Sequence, residues 1–256
     1  MKNTALITGA SNGIGLELAK VHASKGGDLI LVARSKDKLD ALKSEIEAQC
    51  KVEVICIEKD LSLPNAAQDI YNETKNIQVD YLMNNAGFGD HGFFTNTNWN
   101  KEHQMIELNI TALTQFTKLY LQDMVKRGNG RIMNVASTAS FQPGPTMAVY
   151  CATKAYVLSF SEAVNNEVSD NGVTITALCP GATQSGFEVA ASMENSNLFK
   201  NKNLPTSKEV AVYGYASMMK GKAVAIHKLS NYIMASSGRF VPRSWVVKIA
   251  RMVMGG

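Results

Sequence analysis

The sequence predicts an α/β fold, a doubly wound parallel sheet of about seven strands with helices on both faces. Three observations predict it. Short β-branched runs alternate with longer stretches of helical period. The short runs are apolar on both faces, as strands in the middle of a covered parallel sheet must be. The first run leads through a glycine-rich turn straight into a helix.

In chain order the strands are predicted over Thr4–Thr8, Leu29–Val32, Val52–Ile57, Tyr81–Met83, Arg131–Val135, Thr174–Cys179 and Ala223–Ile226. The helices are predicted over Gly13–Ser24, Lys36–Ala48, Asn65–Lys75, Trp99–Lys126 and Tyr150–Ser169. No repeat or low-complexity linker interrupts them, so residues 1–256 read as a single domain. Residues 182–206 are the least regular part and read as a substrate lid. Within Gly186–Pro205 the apolar residues Phe187, Val189, Met193, Leu198 and Phe199 suit an apolar or elongated substrate.

Composition excludes several classes. The chain is 45% hydrophobic and 19% charged with a net charge of +4, too apolar and too weakly charged to stay disordered. No run approaches about 20 consecutive apolar residues, so no membrane-spanning helix is expected. Met1-Lys2-Asn3 enters the first strand at once, so no secretory signal is expected either. Cys50, Cys56, Cys151 and Cys179 have no CxxC spacing and read as reduced thiols, which points to a cytoplasmic location. The four histidines are scattered, and no metal site is expected.

Thr8-Gly9-Ala10-Ser11-Asn12-Gly13-Ile14-Gly15 joins the first strand to the first helix. Side chains there would keep the backbone from a pyrophosphate at the helix N-terminus, where free N–H groups and the helix dipole favour anions. Gly9, Ser11, Asn12, Gly13, Ile14 and Gly15 are therefore candidate dinucleotide contacts in a Rossmann-like unit. The second strand selects the nucleotide. An acidic residue at its end would hydrogen-bond a ribose 2′-hydroxyl, whereas this strand runs Val32-Ala33-Arg34-Ser35. Arg34, assisted by Lys38, favours the 2′-phosphate of NADP(H).

Tyr150 and Lys154 stand four apart on a predicted helix and share a face. A phenol of pKa about 10 is a poor acid–base catalyst at neutral pH, and a nearby cation is expected to lower that value. Chance alone supplies roughly 0.6 such spacings in this composition, so context must decide. Tyr71 and Lys75 match too, but Glu58 stands thirteen residues before Tyr71, whereas Ser137 stands thirteen before Tyr150.

These features resemble the short-chain dehydrogenases/reductases in their compact form. The likeness runs from Thr4 to about Ser185. It rests on the glycine turn, Asp60-Leu61, Asn84-Asn85-Ala86-Gly87, Asn109 inside a long helix, Ser137, Tyr150-x-x-x-Lys154 and Pro180-Gly181. The resemblance implies that Tyr150 is the acid/base, while Lys154 lowers its pKa and holds the nicotinamide ribose. Ser137 would then bind the substrate oxygen, and Asn109 a water linking Lys154 to solvent. It further implies that Asp60 and Leu61 meet the adenine, that Asn85, Ala86 and Gly87 line the cofactor cleft, and that Pro180, Gly181 and Thr183 meet the nicotinamide end. Two positions depart from many relatives: Asn12 stands where a Lys or Arg is common, and Ser185 where a second Thr is common.

The activity so implied is NADP(H)-dependent interconversion of a ketone and a secondary alcohol, with a 3-oxoacyl thioester or lipophilic ketone as substrate. A non-catalytic NADP(H)-binding sensor is the competing reading, although such proteins tend to lose the Tyr or Lys. An epimerase or dehydratase holding NAD is disfavoured by Arg34. Small residues along Tyr150–Ser169 (Ala152, Ala155, Ser159, Ala163), on a helix that commonly builds the family's dimer interface, point to a homodimer or homotetramer.

Glu209 is the last acidic residue, and seven cations follow it. This basic extension, about 228–256, has no aromatic-rich recognition motif, so nucleic acid is not expected. Within it Trp245, Ile249, Met252 and Val253 recur at helical spacing, with Lys248 and Arg251 on one flank. Three readings stand: the segment covers the substrate cleft, docks on a second subunit, or makes weak peripheral contact with anionic lipid. A Trp/Met/Val face is more often buried in protein than laid on a membrane.

Overall fold

The computed structural model describes residues 1–191, 193 and 203–254. Leu198, Phe199 and the side chain of Val189, assigned above to the lid, lie outside the described residues. Seven strands form one parallel sheet: β1 Thr4–Thr8, β2 Leu29–Ala33, β3 Val54–Glu58, β4 Val79–Asn84, β5 Gly130–Val135, β6 Val173–Cys179 and β7 Val224–Ile226. Their order is β3-β2-β1-β4-β5-β6-β7. The order reverses between β1 and β4, which opens a crevice at the carboxyl edge of the sheet where ligands bind in such folds.

Strand residues alternate between two cores with period two. Ala5, Ile7, Leu29, Leu31 and Ala33 face α1 (Gly13–Ala23), α2 (Lys36–Gln49) and the helix Ser207–Met219. Leu6, Ile30 and Val32 face α3 (Ala66–Thr74) and a long helical element whose Phe116 and Tyr120 are buried. That element is α4 (Trp99–Ile106), a π-helical segment over Glu107–Ala112 and α5 (Leu113–Arg127). After it come α6 (Ala148–Val168) and the single turn α7 (Phe187–Ala190), then α8 (Ser207–Met219), α9 (Leu229–Ser237) and α10 (Arg243–Met254).

The expected strands all appear, with ends displaced by two residues at most. The largest shifts are at Val52, which stays outside β3, and at Val79, where β4 begins early. The continuous helix expected over Trp99–Lys126 carries the π segment at its centre. Helices α8 and α9 were not anticipated. α8 buries Val210, Ala211, Gly214, Tyr215, Ser217 and Met218, so its amphipathic signal is weak. Its start was nonetheless legible, because Thr206 and Glu209 form a reciprocal capping box.

α10 forms as expected, yet the face carrying Trp245, Ile249, Met252 and Val253 is exposed in the protomer. The helix buries Ala250 and half-buries Val246 and Val247.

A buried amide chain ties the middle of the sheet to the helices that carry the site. Asn84 Nδ2 donates to Thr117 Oγ1 (3.1 Å) on α5 and to Asn134 Oδ1 (2.9 Å) on β5. Asn134 Nδ2 donates in turn to Ser161 Oγ on α6 (2.9 Å). Replacing Asn134 by Ala leaves buried donors and acceptors unpaired on both neighbours. The loss in unfolding free energy is expected to be about 1–3 kcal/mol by urea titration, and an unchanged midpoint would show the chain to be dispensable.

Candidate active site

The glycine turn is built by steric exclusion. Gly9 has φ +66°, and a Cβ there would stand 2.8 Å from Ala86 Cα. At Gly15 a Cβ would stand 2.3 Å from the carbonyl oxygen of Gly9. The turn after β1 is thereby pressed against the turn after β4, and Thr8 joins them. Its Oγ1 accepts from the backbone N–H groups of Asn85 and Ala86, both at 3.0 Å. Asn85 Nδ2 donates back to the carbonyls of Thr8 (3.0 Å) and Gly9 (3.1 Å). Asn12 caps α1 without a side-chain hydrogen bond, and no acidic residue occupies the first turn. The helix N-terminus thus presents backbone donors that no side chain caps, the electrostatics an anion requires. These observations fit a dinucleotide pyrophosphate.

Arg34 and Lys38 are exposed just beyond the carboxyl end of β2, and neither is ion-paired among the described residues. Asp60 follows β3 at the same edge. Its Oδ1 accepts from the Ser62 N–H (3.0 Å) and hydroxyl (2.7 Å), closing a turn, while Leu61 is buried. These four positions lie outside the enclosed part of the cleft.

That enclosed part is a cavity of about 250 Å³. It reaches Asn12, Gly13 and Ile14 at one end, and Asn85 and Gly87 beside them. Ser137, Tyr150 and Lys154 line its centre, followed by Pro180, Gly181 and Thr183. Thr183 Oγ1 donates to the Gly181 carbonyl (2.9 Å), and Thr138 N–H donates to that of Pro180 (2.9 Å), which holds the loop after β6 in place.

Around the candidate chemistry, every polar group is positioned by another. Ser137 begins a 3-10 turn, Thr138–Phe141, with its Oγ accepting from Ala139 N–H (3.1 Å). Ser140 Oγ donates to the Lys154 carbonyl (2.7 Å), linking that turn to α6. Lys154 Nζ donates to the Val135 carbonyl (2.7 Å) and lies 5.9 Å from the centre of the Tyr150 ring. Asn109, fully buried in the π segment, donates to the Phe88 carbonyl (3.0 Å) and Thr153 Oγ1 (3.1 Å). Its Oδ1 accepts from Phe88 N–H (3.3 Å). Glycine is required at position 87, because a Cβ there would stand 2.9 Å from Asn109 Oδ1 and 3.3 Å from Lys154 Nζ.

Burial raises the pKa of Tyr150, and a hydrogen bond from Ser137 only partly offsets this. The same burial lowers Lys154 to about 8. Burial thus drives both groups toward their neutral forms.

Tyr71, the second tyrosine of the spacing, donates to Asp123 Oδ2 (2.7 Å) between α3 and α5, far from this assembly. The cleft also contains residues that motif spacing did not reveal: Gln142, Met147, Met234 and Val253. Only Met147, just before the tyrosine helix, had a local signal. Met234 and Val253 arrive from α9 and α10, and Val253 brings the tail helix to the rim of the cleft.

With this geometry in view, the short chain dehydrogenase family model matches residues 3–195. The chain belongs to that family. It is 34% identical over 184 residues to the very-long-chain 3-oxoacyl-CoA reductase of Homo sapiens, covering 69% of this chain and 58% of the relative. It is 31% identical over 220 residues to hydroxysteroid dehydrogenase-like protein 1 of Gallus gallus, covering 84% and 65%. The chain thus matches less than two thirds of the length of these curated relatives. Among solved structures, a short-chain dehydrogenase from Sphingobium yanoikuyae in complex with NADPH superposes with a TM-score of 0.84 at 31% identity, covering 93% of each chain. The bulky-bulky ketone specific alcohol dehydrogenase of Comamonas testosteroni gives 0.80 at 28% identity, covering 93% and 92%.

In the cofactor-free protein the difference in phenolate absorbance between wild type and Tyr150→Phe is expected to stay flat up to at least about pH 10. A tyrosinate assignable to Tyr150 near pH 8 would show that the ammonium, not burial, governs the site. The Lys154 shift has its own sign. The unfolded lysine keeps its proton up to its ordinary value of 10.5, while the folded one loses it above about 8. Lys154 therefore makes stability rise between those two pH values, relative to Lys154→Met.

Proposed function

We propose that the chain is an NADP(H)-dependent carbonyl reductase acting reversibly on a bulky apolar ketone or 3-oxoacyl thioester. The observation that carries this reading is the convergence of Ser137, Tyr150 and Lys154 on one cavity that continues to the bare N-terminus of α1. Its wall also carries the apolar side chains of Met147, Phe187, Met193, Met234 and Val253. The names of the relatives, acting on 3-oxoacyl-CoA or bulky ketones, and the NADPH in one structural neighbour support the same choice.

When bound, the dinucleotide supplies the hydride to the carbonyl carbon, or accepts it from the alcohol. The glycine turn and the first turn of α1 hold the pyrophosphate. Arg34 and Lys38 bind the 2′-phosphate, Asp60 and Leu61 the adenine, and Lys154 the nicotinamide ribose. Asn85, Ala86 and Gly87 line the cleft, while Pro180, Gly181 and Thr183 flank the nicotinamide.

Ser137 donates to the carbonyl oxygen, where negative charge develops. Tyr150 delivers the proton to that same oxygen. Its raised pKa keeps it protonated, the state that reduction requires. Lys154 then resupplies the phenol, with Asn109 positioning a water behind it. The complete set Asn109, Ser137, Tyr150 and Lys154 leaves the sensor reading without a supporting observation.

The exposed small residues Ala152, Ser159 and Ala163 on α6 fit a homodimer or homotetramer built through that helix. The four free cysteines fit a reducing cytoplasm.

A panel of carbonyl compounds with NADPH tests the reading. Tyr150→Phe is expected to abolish turnover while NADPH fluorescence still reports binding; turnover at the wild-type rate would discard the mechanism. Arg34→Asp is expected to weaken NADPH by at least about 1–3 kcal/mol and shift preference toward NADH. Unchanged preference would overturn the cofactor assignment. Light scattering at micromolar concentration is expected to show a dimer or tetramer, and a monomer would refute the α6 interface.

A further inference from the structure

The surface built by α9, α10 and the segment between them is unlike the rest of the exterior. Nine of the seventeen exposed large hydrophobic side chains found among the described residues lie between Leu229 and Val253. Single exposed apolar residues are ordinary, but a cluster this dense marks a docking surface. On α10, Trp245, Ile249 and Met252 are 63%, 48% and 68% exposed. Their spacing sets them on one stripe, opposite the inward Ala250. Tyr232, Ile233 and Phe240, in α9 and the segment after it, are 57%, 60% and 86% exposed.

Charge selects the occupant. Lys228, Arg239, Arg243, Lys248 and Arg251 are exposed within this segment, and no acidic residue follows Glu209. None of the five is paired with a carboxylate among the described residues. Arg251 lies 5.8 Å from the centre of the Phe93 ring, which joins that exposed aromatic to the same edge. A second copy placed by a two-fold axis would set these cations against themselves, which argues against self-pairing through this face. An apolar stripe flanked by Lys and Arg is instead the pattern of a helix lying in a membrane interface. No described helix is long and apolar enough to cross a membrane, so the contact is in-plane.

We infer that α9 and α10 form an in-plane docking surface for an anionic lipid bilayer. Met234 and Val253 belong to this surface, at 39% and 42% exposure, and also line the catalytic cavity. The cavity therefore opens where the bilayer would sit. A lipophilic ketone could then enter from the lipid, a consequence that rests on the proposed reductase activity; the docking itself does not.

Sedimentation of the full chain with vesicles tests this. Phosphatidylcholine vesicles are compared with vesicles containing roughly one third phosphatidylglycerol, at about 0.1 M salt. The chain is expected to sediment with the anionic vesicles only, and to be released at about 1 M salt. Arg243→Ala and Lys248→Ala are each expected to weaken partition about fivefold, and together roughly 25-fold. Trp245→Ala should weaken it independently, with circular dichroism and turnover of a water-soluble ketone unchanged in all three variants. Absence of sedimentation would overturn the inference, as would equal binding to neutral vesicles. So would a self-associated species that Trp245→Ala dissolves while vesicles capture nothing. Inactivity on every ketone with vesicle binding intact would instead count against the reductase reading alone.

Discussion

The site depends on a buried ammonium that has no carboxylate paired with it among the described residues. Lys154 is 5% exposed, reaches the backbone carbonyl of Val135, and lies close to Asn109 across the glycine at position 87. A charge in such a place is costly unless dipoles surround it. The surrounding structure supplies them: a strand-end carbonyl, the amide of Asn109, and a 3-10 turn anchored to the lysine's own carbonyl by Ser140. These partners come from β5, the π segment and the turn after β5, so the lysine can be held only when all three are docked. The Asn84–Asn134–Ser161 chain behind it performs that docking, joining β4 and β5 to α6 with buried hydrogen bonds.

Much of this was legible in the sequence, and the reason is local sterics and periodicity. Glycines at 9, 13 and 15 have no substitute where a Cβ would strike backbone, so a one-dimensional pattern reports a three-dimensional contact. The tyrosine–lysine spacing is legible because one helical turn fixes which side chains share a face. Strand positions follow because both faces of the central strands are buried. What escaped depends on contacts between distant segments. Nothing in the residues around Asn109 announces a π segment, which here turns its side chain toward Phe88 and Thr153. The Thr8 clamp needs the turn after β4 in place. Met234 and Val253 reach the cleft only through the path of the chain after β7.

Spacing correctly puts Lys154 near Tyr150, but proximity in sequence says nothing about the dielectric in which the two meet. Burial opposes the charged form of both, and each moves toward neutrality: the phenol up, the amine down to about 8. A tyrosinate–ammonium pair would leave one ion facing an apolar wall of Met147 and Phe187. A neutral phenol hydrogen-bonded by Ser137, beside an amine leaning on a carbonyl, avoids that cost. The resting phenol is therefore protonated, the form from which the proposed reduction delivers its proton. In the reverse direction the phenol must first lose that proton, and Lys154, 5.9 Å from the centre of its ring and held at the Val135 carbonyl, is the group proposed to take part in that transfer.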